Sequence, residues 1–369
     1  MITIGIDGNE ANVKKQVGVS VYAQNLLLEF NKKAIETTRF NIYLKNNIVN
    51  TMPNEKSFFK YIFVNGKFLW SQLFLPFKLL IGEKNDVFFS PAHYVPRFTN
   101  TPIIVTIHDL SYYYFPNEFL KRDLFKLKNW TKYSIHKAKK IIAVSENTKL
   151  DIIKFFGIPK EKIQVIYNGY EKKIIKNDFD KKLINRVSKN LYILYVGTLQ
   201  PRKNIQTLID AFIKFLLQNK NFRLVIAGKK GWLYSEIFKK VKESGFSKKI
   251  IFTDYVNNST LKKLYQNAFC LVHPSLYEGF GIPLLEAMNE GCPIISSNTS
   301  SLPEIAGDAA LFFEPKNVDH LVFQINNLVK HEDLKNTLIA KGKERVKLFS
   351  WKKCASETLK VIKSASNSK

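Results

Sequence analysis

The stretch VHPSLYEGFGIPLLEAMNE, residues Val272 to Glu290, contains a pattern from which the rest of the chain can be interpreted. Its start belongs to a short apolar run, Phe269 to His273, that is typical of a buried strand. Pro283 is tolerated in the first turn of a helix, where its missing N–H would have no partner, so a helix is predicted to begin near Ile282. Strand, glycine-bearing loop and helix in this order predict an anion site, because the first N–H groups of the helix and its dipole face the loop.

Two carboxylates lie in this stretch, Glu278 in the predicted loop and Glu286 about one turn into the predicted helix. Both can face the same cleft. Taken alone, the pair would fit many kinds of anion site.

Strand-like and helix-like segments alternate along most of the chain. Such alternation predicts parallel sheets with helices on both faces, and ligands of such sheets bind at the carboxyl ends of strands. The polar stretch Glu171 to Asn190 interrupts the alternation, and we interpret it as an interdomain linker with a short lead-in helix. The sequence therefore predicts two doubly wound α/β domains.

A second predicted site element is GTLQPRKN, residues Gly197 to Asn204, between a predicted strand and a predicted helix. Arg202 and Lys203 lie where that helix begins, and two cations beside a helix N-terminus would neutralise a diphosphate. In so basic a chain they would also fit a solvated loop.

His108 and Gly18 lie in two further loops. His108 follows the apolar run Ile103 to Ile107, so its side chain can point into a ligand-binding edge, although a single histidine is more often structural. Gly18 precedes a predicted helix capped by Ser20, where it would allow close approach of a ligand or simply form a turn. Asp109 would orient the loop of His108.

The formal net charge of +26 has two interpretations. A basic surface attracts nucleic acid, anionic lipid or phosphorylated ligands, whereas a lysine-rich composition would give the same charge without a partner. The even spread of lysines favours composition. The densest patch, Lys121 to Lys140, also contains aromatic residues and predicts either a helix that rests on an anionic membrane or a solvated helix face.

Cysteine usage and hydropathy predict a cytoplasmic chain. Cys270, Cys292 and Cys354 show no CxxC spacing and are expected to be reduced thiols. We find no secretory leader and no apolar run of about 18 residues, so no transmembrane helix is expected. Membrane binding through Lys121 to Lys140 would place the chain peripherally at the inner face of the membrane.

Glu278-x7-Glu286 within YEGFGIPLLEAM resembles the E-x7-E signature of retaining glycosyltransferases of family 4, in particular a mannosyltransferase-like subgroup. Other segments resemble the same family in order: IGIDGN, GVSVYAQNLL, HDLSYYYFP, IIAVSENTKLDII, IQVIYNGY, GTLQPRKN, VIAGKKGW, FTDYV and ALFFEP. The resemblance covers nearly the whole chain and implies the GT-B fold, in which two Rossmann-like domains face each other across a cleft. It implies an acceptor-side domain over residues 1–171, a nucleotide-sugar-binding domain over residues 172–349, and a helix in residues 350–369 that crosses back to the first domain.

The resemblance also implies an activity. The chain is expected to move a hexose of the mannose or glucose type from a nucleotide diphosphate sugar, either GDP-mannose or a UDP-sugar, with retained configuration. The expected acceptor is a glycan or a lipid-linked saccharide in cell-surface polysaccharide synthesis. Many relatives have Gly-Arg where this chain has Gly197-Thr198, so the phosphate clamp would rest on Lys203 and Arg202.

Carried over to this sequence, the family pattern implies a role for each site residue. Glu278 lies beside the transferred sugar, and Glu286 holds the ribose. Lys203 and Arg202 bind the diphosphate as it leaves, and His108 contacts the donor sugar. The remaining donor-binding positions are Phe280, Gly281, Ile282, Gly18 and Thr198.

Asp178-Phe179-Asp180 matches the Asp-x-Asp pattern that holds a metal in other glycosyltransferases. It lies in the predicted linker, so we interpret it as a solvated charge pair and expect no metal and no other cofactor. Two alternatives stay open: another GT-B activity, such as a phosphorylase or an epimerase, and a basic nucleic-acid-binding protein. The lack of a nucleic-acid-binding motif argues against the second, so no nucleic acid is expected as a partner.

Overall fold

Short apolar strands alternate with helices in both halves of the chain, and each half forms its own parallel sheet. The computed structural model describes residues 1–14, 18–66, 69–171 and 178–366. The chain divides into two compact units: the first comprises Met1–Gly169 with Phe349–Lys369, and the second comprises Tyr170–Leu348. Residues 172–177 of the predicted linker lie outside the described residues.

The strands and helices are numbered here in chain order. The strands are β1 (Ile2–Asp7), β2 (Thr38–Leu44), β3 (Phe59–Phe63), β4 (Val87–Ser90), β5 (Ile103–Ile107), β6 (Lys140–Ala143), β7 (Ile163–Val165), β8 (Leu191–Val196), β9 (Phe222–Ala227), β10 (Ile250–Asp254), β11 (Cys270–His273), β12 (Ile294–Ser297) and β13 (Leu311–Phe313). The helices are α1 (Gly18–Lys32), α2 (Phe74–Ile81), α3 (Ser111–Tyr114), α4 (Lys121–Lys137), α5 (Glu146–Phe156), α6 (Lys181–Val187), α7 (Ile205–Leu216), α8 (Ser235–Glu243), α9 (Asn258–Asn267), α10 (Ile282–Glu290), α11 (Leu302–Ala306), α12 (Val318–Lys330), α13 (Glu332–Val346) and α14 (Trp351–Ser366).

The first unit contains a seven-stranded parallel sheet of order β3-β2-β1-β4-β5-β6-β7. Its central strands β4 and β5 are buried on both faces, as expected for a sheet covered by helices on each side. On one face α1 packs with α14, where Phe30 and Trp351 join one apolar cluster. On the other face Leu75 of α2 and Ile135 of α4 join a second cluster.

The second unit contains a six-stranded parallel sheet of order β10-β9-β8-β11-β12-β13. The apolar face of α7, including Leu208 and Phe212, packs on Ile226 of β9 and extends to Ile325 of α12. The doubly wound architecture predicted from the alternation is therefore confirmed for each unit.

Local capping signals explain several helix ends. Ser145 Oγ accepts a hydrogen bond from Thr148 N, and Gly157 ends α5 with φ +63°, as the sequence predicts. The predicted cap Ser20 is wrong, because α1 begins two residues earlier at Gly18 and Ser20 is buried inside it. The helix α2 was not predicted from the sequence.

The strand order identifies the ligand-binding edge of each sheet. Ligands of open α/β sheets bind where the strand order reverses, beyond the carboxyl ends of the strands. That point lies between β1 and β4 in the first unit and between β8 and β11 in the second. The predicted segments Gly197 to Asn204 and Val272 to Glu290 follow or include β8 and β11 at this point.

Candidate active site

The loop after β8 forms a 3-10 turn, Pro201–Lys203, that presents two cations. Asn204 ends the turn with φ +56°, and its Nδ2 donates a hydrogen bond to the Pro274 carbonyl at 3.0 Å. The Arg202 carbonyl accepts a hydrogen bond from Leu276 N at 2.8 Å. The loop after β8 is thus fixed to the loop after β11.

The loop after β11 is fixed by serines from a neighbouring loop. Glu278 N donates to Ser300 Oγ at 2.8 Å, and Ser301 Oγ donates to the carbonyls of Glu278 and Phe280 at 2.9 and 3.0 Å. Gly281 then turns into α10 with φ +108°, a backbone conformation that strongly favours glycine. These bonds hold the main chain around Glu278 in one position.

The Glu278 carboxylate lies at the centre of a cluster of donors. Lys203 Nζ and Ser275 Oγ donate to its Oε1, the latter at 2.7 Å, and His273 Nε2 lies 3.1 Å from the same oxygen. Arg202 Nη1 is 3.8 Å from Oε2 and donates to the Tyr277 carbonyl at 2.9 Å. The structure therefore brings the predicted residues Glu278, Lys203 and Arg202 together.

The same cluster explains the ionisation of Glu278. Burial alone would raise the pKa of this carboxyl group, but Lys203, the His273 hydrogen bond and Arg202 lower the pKa well below its usual value. Glu278 is consequently a carboxylate at neutral pH. It can stabilise positive charge nearby, and it has no proton to donate as a general acid.

Glu286 lies further along α10 in different surroundings. Its Oε2 accepts a hydrogen bond from the Tyr265 hydroxyl at 2.9 Å. Burial and the charge of Glu286 raise the pKa of Tyr265 well above its ordinary value, so the phenol stays protonated and donates this bond. Glu286 lines a pocket with Tyr170, Asn258 and Lys262 among its other lining residues.

The first turn of α10 contains the other predicted donor-binding positions. Phe280 is buried, Gly281 precedes the helix, and Ile282 is its first residue with Pro283 next to it. The predicted helix start is confirmed. Leu284 N donates a hydrogen bond to the Gly281 carbonyl at 3.0 Å, and the positive end of the α10 dipole faces the loop that contains Glu278.

Thr198 and Gly18 are the two remaining positions that were predicted to bind the donor. Thr198 lies in the loop after β8, where its carbonyl accepts a hydrogen bond from the Tyr195 hydroxyl at 3.4 Å. Gly18 is the first residue of α1, and a Cβ built there would meet no atom within 4 Å. The fold of the described residues therefore does not itself require glycine at position 18.

His108 follows β5 in the first unit and is 8% exposed. Its Nε2 lies 2.8 Å from the Pro91 carbonyl, which can only accept, so Nε2 carries the proton. Burial and His93 lower the pKa of His108 to about 4, against opposing contributions from Pro91 and Asp109. His108 is therefore neutral at physiological pH, and its Nδ1 holds a lone pair that can accept a hydrogen bond. Asp109 orients the loop, because its Oδ1 accepts from Ser111 N and Oγ.

Sequence reasoning missed two residues that contact the site glutamates, His273 beside Glu278 and Tyr265 beside Glu286. His273 stood within the first quoted stretch, and its position at the end of a buried strand was the signal that could have identified it. Tyr265 gave no motif, because it pairs with Glu286 only through the packing of α9 against α10. Asp7 of the first unit was not singled out either, although it lies at the carboxyl end of β1, where ligands of such sheets bind.

The Asp-x-Asp segment has a structural role in the second unit. Asp180 Oδ1 accepts a hydrogen bond from Leu183 N and so caps α6. Among residues 1–14, 18–66, 69–171 and 178–366, no group of three or more His, Cys, Asp or Glu side chains is arranged to hold a metal ion. In the same part of the chain no helix is long and apolar enough to cross a membrane.

Both halves of the chain match known protein families. Residues 18–173 match the family described as Glycosyltransferase Family 4, and residues 176–345 match the family described as Glycosyl transferases group 1. The O-antigen chain mannosyltransferase B of Escherichia coli is 30% identical over 76% of this chain and 74% of its own length. The O-antigen chain mannosyltransferase RfbU of Salmonella typhimurium is 30% identical over 71% of this chain and 74% of its own length. The structure of Anabaena HepE in complex with UDP-glucose has a TM-score of 0.74 and 15% identity, covering 99% of this chain and all of the other (100%), which shows a shared fold.

Proposed function

Because the chain belongs to the GT-B glycosyltransferases of group 1 and family 4, of the mannosyltransferase-like kind, we propose that it transfers a hexose with retained configuration. The donor is a nucleotide diphosphate sugar, and the acceptor is a glycan or lipid-linked saccharide of cell-surface polysaccharide synthesis. The E. coli and Salmonella relatives are named as O-antigen mannosyltransferases, which favours GDP-mannose. The HepE complex contains UDP-glucose, which makes a UDP-sugar the alternative donor.

The observation that carries this proposal is the cluster of Lys203, Arg202 and Glu278 at the N-terminus of α10. When the nucleoside diphosphate departs, negative charge develops on its phosphate oxygens. Two cations and a helix N-terminus held in place before the reaction stabilise that charge without reorganisation. The ionised Glu278 would stabilise the positive charge that develops on the sugar at the same time.

In this mechanism Lys203 shares its charge between Glu278 and the diphosphate. The lysine keeps the carboxylate ionised before the donor binds, and the phosphate becomes a second partner when it arrives. The nucleoside would occupy the pocket beside α9, with the Glu286 carboxylate accepting hydrogen bonds from the ribose hydroxyls. His108 would accept a hydrogen bond from a hydroxyl of the donor sugar through Nδ1.

We further propose that transfer needs no metal ion, because Lys203 and Arg202 would neutralise the leaving diphosphate, as a metal ion does in other enzymes. The test is transfer from each of GDP-mannose, UDP-glucose and ADP-glucose to short mannose oligosaccharides, with and without EDTA. Proton NMR of the product reports the anomeric configuration. Transfer from one donor in EDTA with an α-linked product is expected. Loss of activity that Mn²⁺ restores would reject metal independence, and a β-linked product would reject retention.

A further inference from the structure

A run of large apolar side chains lies on the outer face of α2 and at the residue before it. These residues are 42–65% exposed, although each is Leu, Phe or Ile. We call them the apolar face of α2: Leu73, Phe74, Phe77, Leu80 and Ile81. Contiguous apolar patches of this kind on a folded surface mark a site where another molecule or a membrane binds.

The opposite side of α2 is already used by the protein core. Leu75 and Leu79 are buried and pack with Phe88 of β4 and Val105 of β5. Lys78 is the only charged residue of the helix, whose sequence is FLPFKLLI. A helix that is apolar all round is expected in a core or at a membrane. The core of the first unit covers the inner face of α2 and leaves its outer apolar face exposed.

The basic helix α4 covers the same face of the sheet, since its Ile135 belongs to the same apolar cluster as Leu75 and Leu79. Asp123 is its single acidic residue, against the cations Lys121, Arg122, Lys126, Lys128, Lys132 and Lys137. At its start Leu120 and Phe125 are exposed, each by more than half of its surface.

Two aromatic residues of α4 pack within the first unit. Residues Lys121 to Lys140 were expected to present both cations and aromatic residues to a membrane. Instead Trp130 packs edge-on against Tyr94, and Arg97 lies over the ring of Tyr133. Much of the aromatic surface of α4 is therefore engaged within the unit. Helix α4 presents mainly charge, and most of the exposed apolar side chains of this part of the unit lie on α2.

We propose that the apolar face of α2 inserts at the boundary between head groups and acyl chains of an anionic lipid bilayer, while the cations of α4 contact the head groups. Interfacial helices bind by this combination of buried apolar area and attraction to anionic lipid. Lys78 can extend its amine towards the head groups from within the apolar face. A second copy of this chain is a less suitable partner, because it would bring two basic α4 helices together.

The test measures sedimentation of the full chain with vesicles, which needs no knowledge of the sugar donor. One set contains phosphatidylcholine alone, and the other contains phosphatidylcholine with phosphatidylglycerol. The double variant Phe77→Ser/Leu80→Ser removes part of the apolar face. Phe323→Ser is its control, because Phe323 on α12 has the same 63% exposure as Phe77 but lies in the second unit. The variant Arg122→Glu/Lys132→Glu tests the charge of α4.

We expect wild type and Phe323→Ser to sediment with the anionic vesicles only. Phe77→Ser/Leu80→Ser should reduce the partition coefficient at least tenfold at low and at physiological salt, and the charge variant should reduce it mainly at low salt. The proposal is overturned if wild type stays in the supernatant, if the double variant binds as wild type does, or if both vesicle types bind equally. A dimer in light scattering that Phe77→Ser/Leu80→Ser separates, without vesicle binding, would assign the face to a second copy instead.

Discussion

Lys203 donates a hydrogen bond from Nζ to Oε1 of Glu278, and each of these two side chains has 12% of its surface exposed. The two residues are 75 positions apart and come from the loops after β8 and β11, which are neighbours in the sheet. Partly buried charges depend strongly on such partners, because removal of one leaves the other desolvated and unpaired. The Lys203 cation that would stabilise the leaving diphosphate therefore also stabilises the two loops.

Lys203→Ala should reduce kcat for transfer by about 10²- to 10³-fold, since it removes one preorganised cation from the leaving diphosphate. It should also lower the free energy of unfolding by about 1–3 kcal/mol, because Arg202, His273 and Ser275 remain near Glu278 and limit the loss. Steady-state kinetics and urea unfolding measure the two effects. Lys214→Ala is the control. It removes an ion pair with Asp319 that is more than half exposed, and it should change neither kcat nor the free energy of unfolding by much. Near-normal turnover of purified Lys203→Ala would remove this lysine from the mechanism.

Glu286→Gln should raise KM for the nucleotide sugar by about tenfold or more with a smaller change in kcat, because a hydrogen bond from a neutral donor to a carboxylate contributes about 1.5–3 kcal/mol. Tyr265→Phe removes the hydroxyl that orients this carboxylate and should show a weaker form of the same effect. Glu332→Gln is the control, because Glu332 is an exposed carboxylate of the second unit that pairs with Lys335 of its own helix and does not line this pocket. A fall in kcat with unchanged KM for Glu286→Gln would contradict a role in nucleoside binding.

The sequence predicted the architecture well because the spacing of apolar residues and the positions of proline, glycine and capping residues report local structure directly. Pro283 placed the start of α10, and Ser145 with Gly157 placed both ends of α5. No local sequence pattern of this kind predicts hydrogen bonds between segments that are distant in the chain. Ser301 is 23 positions from Glu278 and Tyr265 is 21 from Glu286, so their pairing follows from the order of strands and helices and not from spacing. Helix α2 was missed because its outer face is apolar, which removes the alternation of apolar and polar residues that identifies a surface helix.

Asp7→Asn should raise the free energy of unfolding at pH 7 while lowering transfer activity. Burial raises the pKa of Asp7 to about 6, although hydrogen bonds from Asn9 N and Nδ2 oppose the shift. The folded state therefore binds a proton more tightly than the unfolded state, and this carboxyl group reduces stability as pH rises from about 4 to about 6.

The Asp7 variant keeps an acceptor for Asn9 and removes the ionisation. Because Asp7 is partly exposed, we expect a gain of only about 1–2 kcal/mol at pH 7 and little gain near pH 4. Urea unfolding at pH 7 and at pH 4 measures this gain in the free energy of unfolding. Asp86→Asn, at the amino end of the neighbouring strand β4, is the control. Groups with strongly shifted pKa values concentrate at functional sites, and Asp7 lies at the ligand-binding edge of its sheet. Unchanged transfer by Asp7→Asn would show that its charge serves neither binding nor catalysis.

His108→Gln should flatten the dependence of stability on pH between about 6.5 and about 4, the ordinary pKa of histidine and the value that burial and His93 impose. A histidine with a lowered pKa contributes stability that is fully present above its unfolded pKa and is lost as pH falls through its folded pKa. The shift corresponds to a contribution on the order of 3 kcal/mol in wild type. Glutamine can keep a donor to the Pro91 carbonyl without titrating. The unfolding free energy of wild type minus that of the variant should therefore fall by about 3 kcal/mol as pH falls from 7 to 4. Asp7 titrates in both proteins and cancels in this difference, and the exposed His136→Gln in the same unit is the control. A constant difference across this range would mean that folding does not lower the pKa of His108, which would contradict the buried neutral imidazole described above.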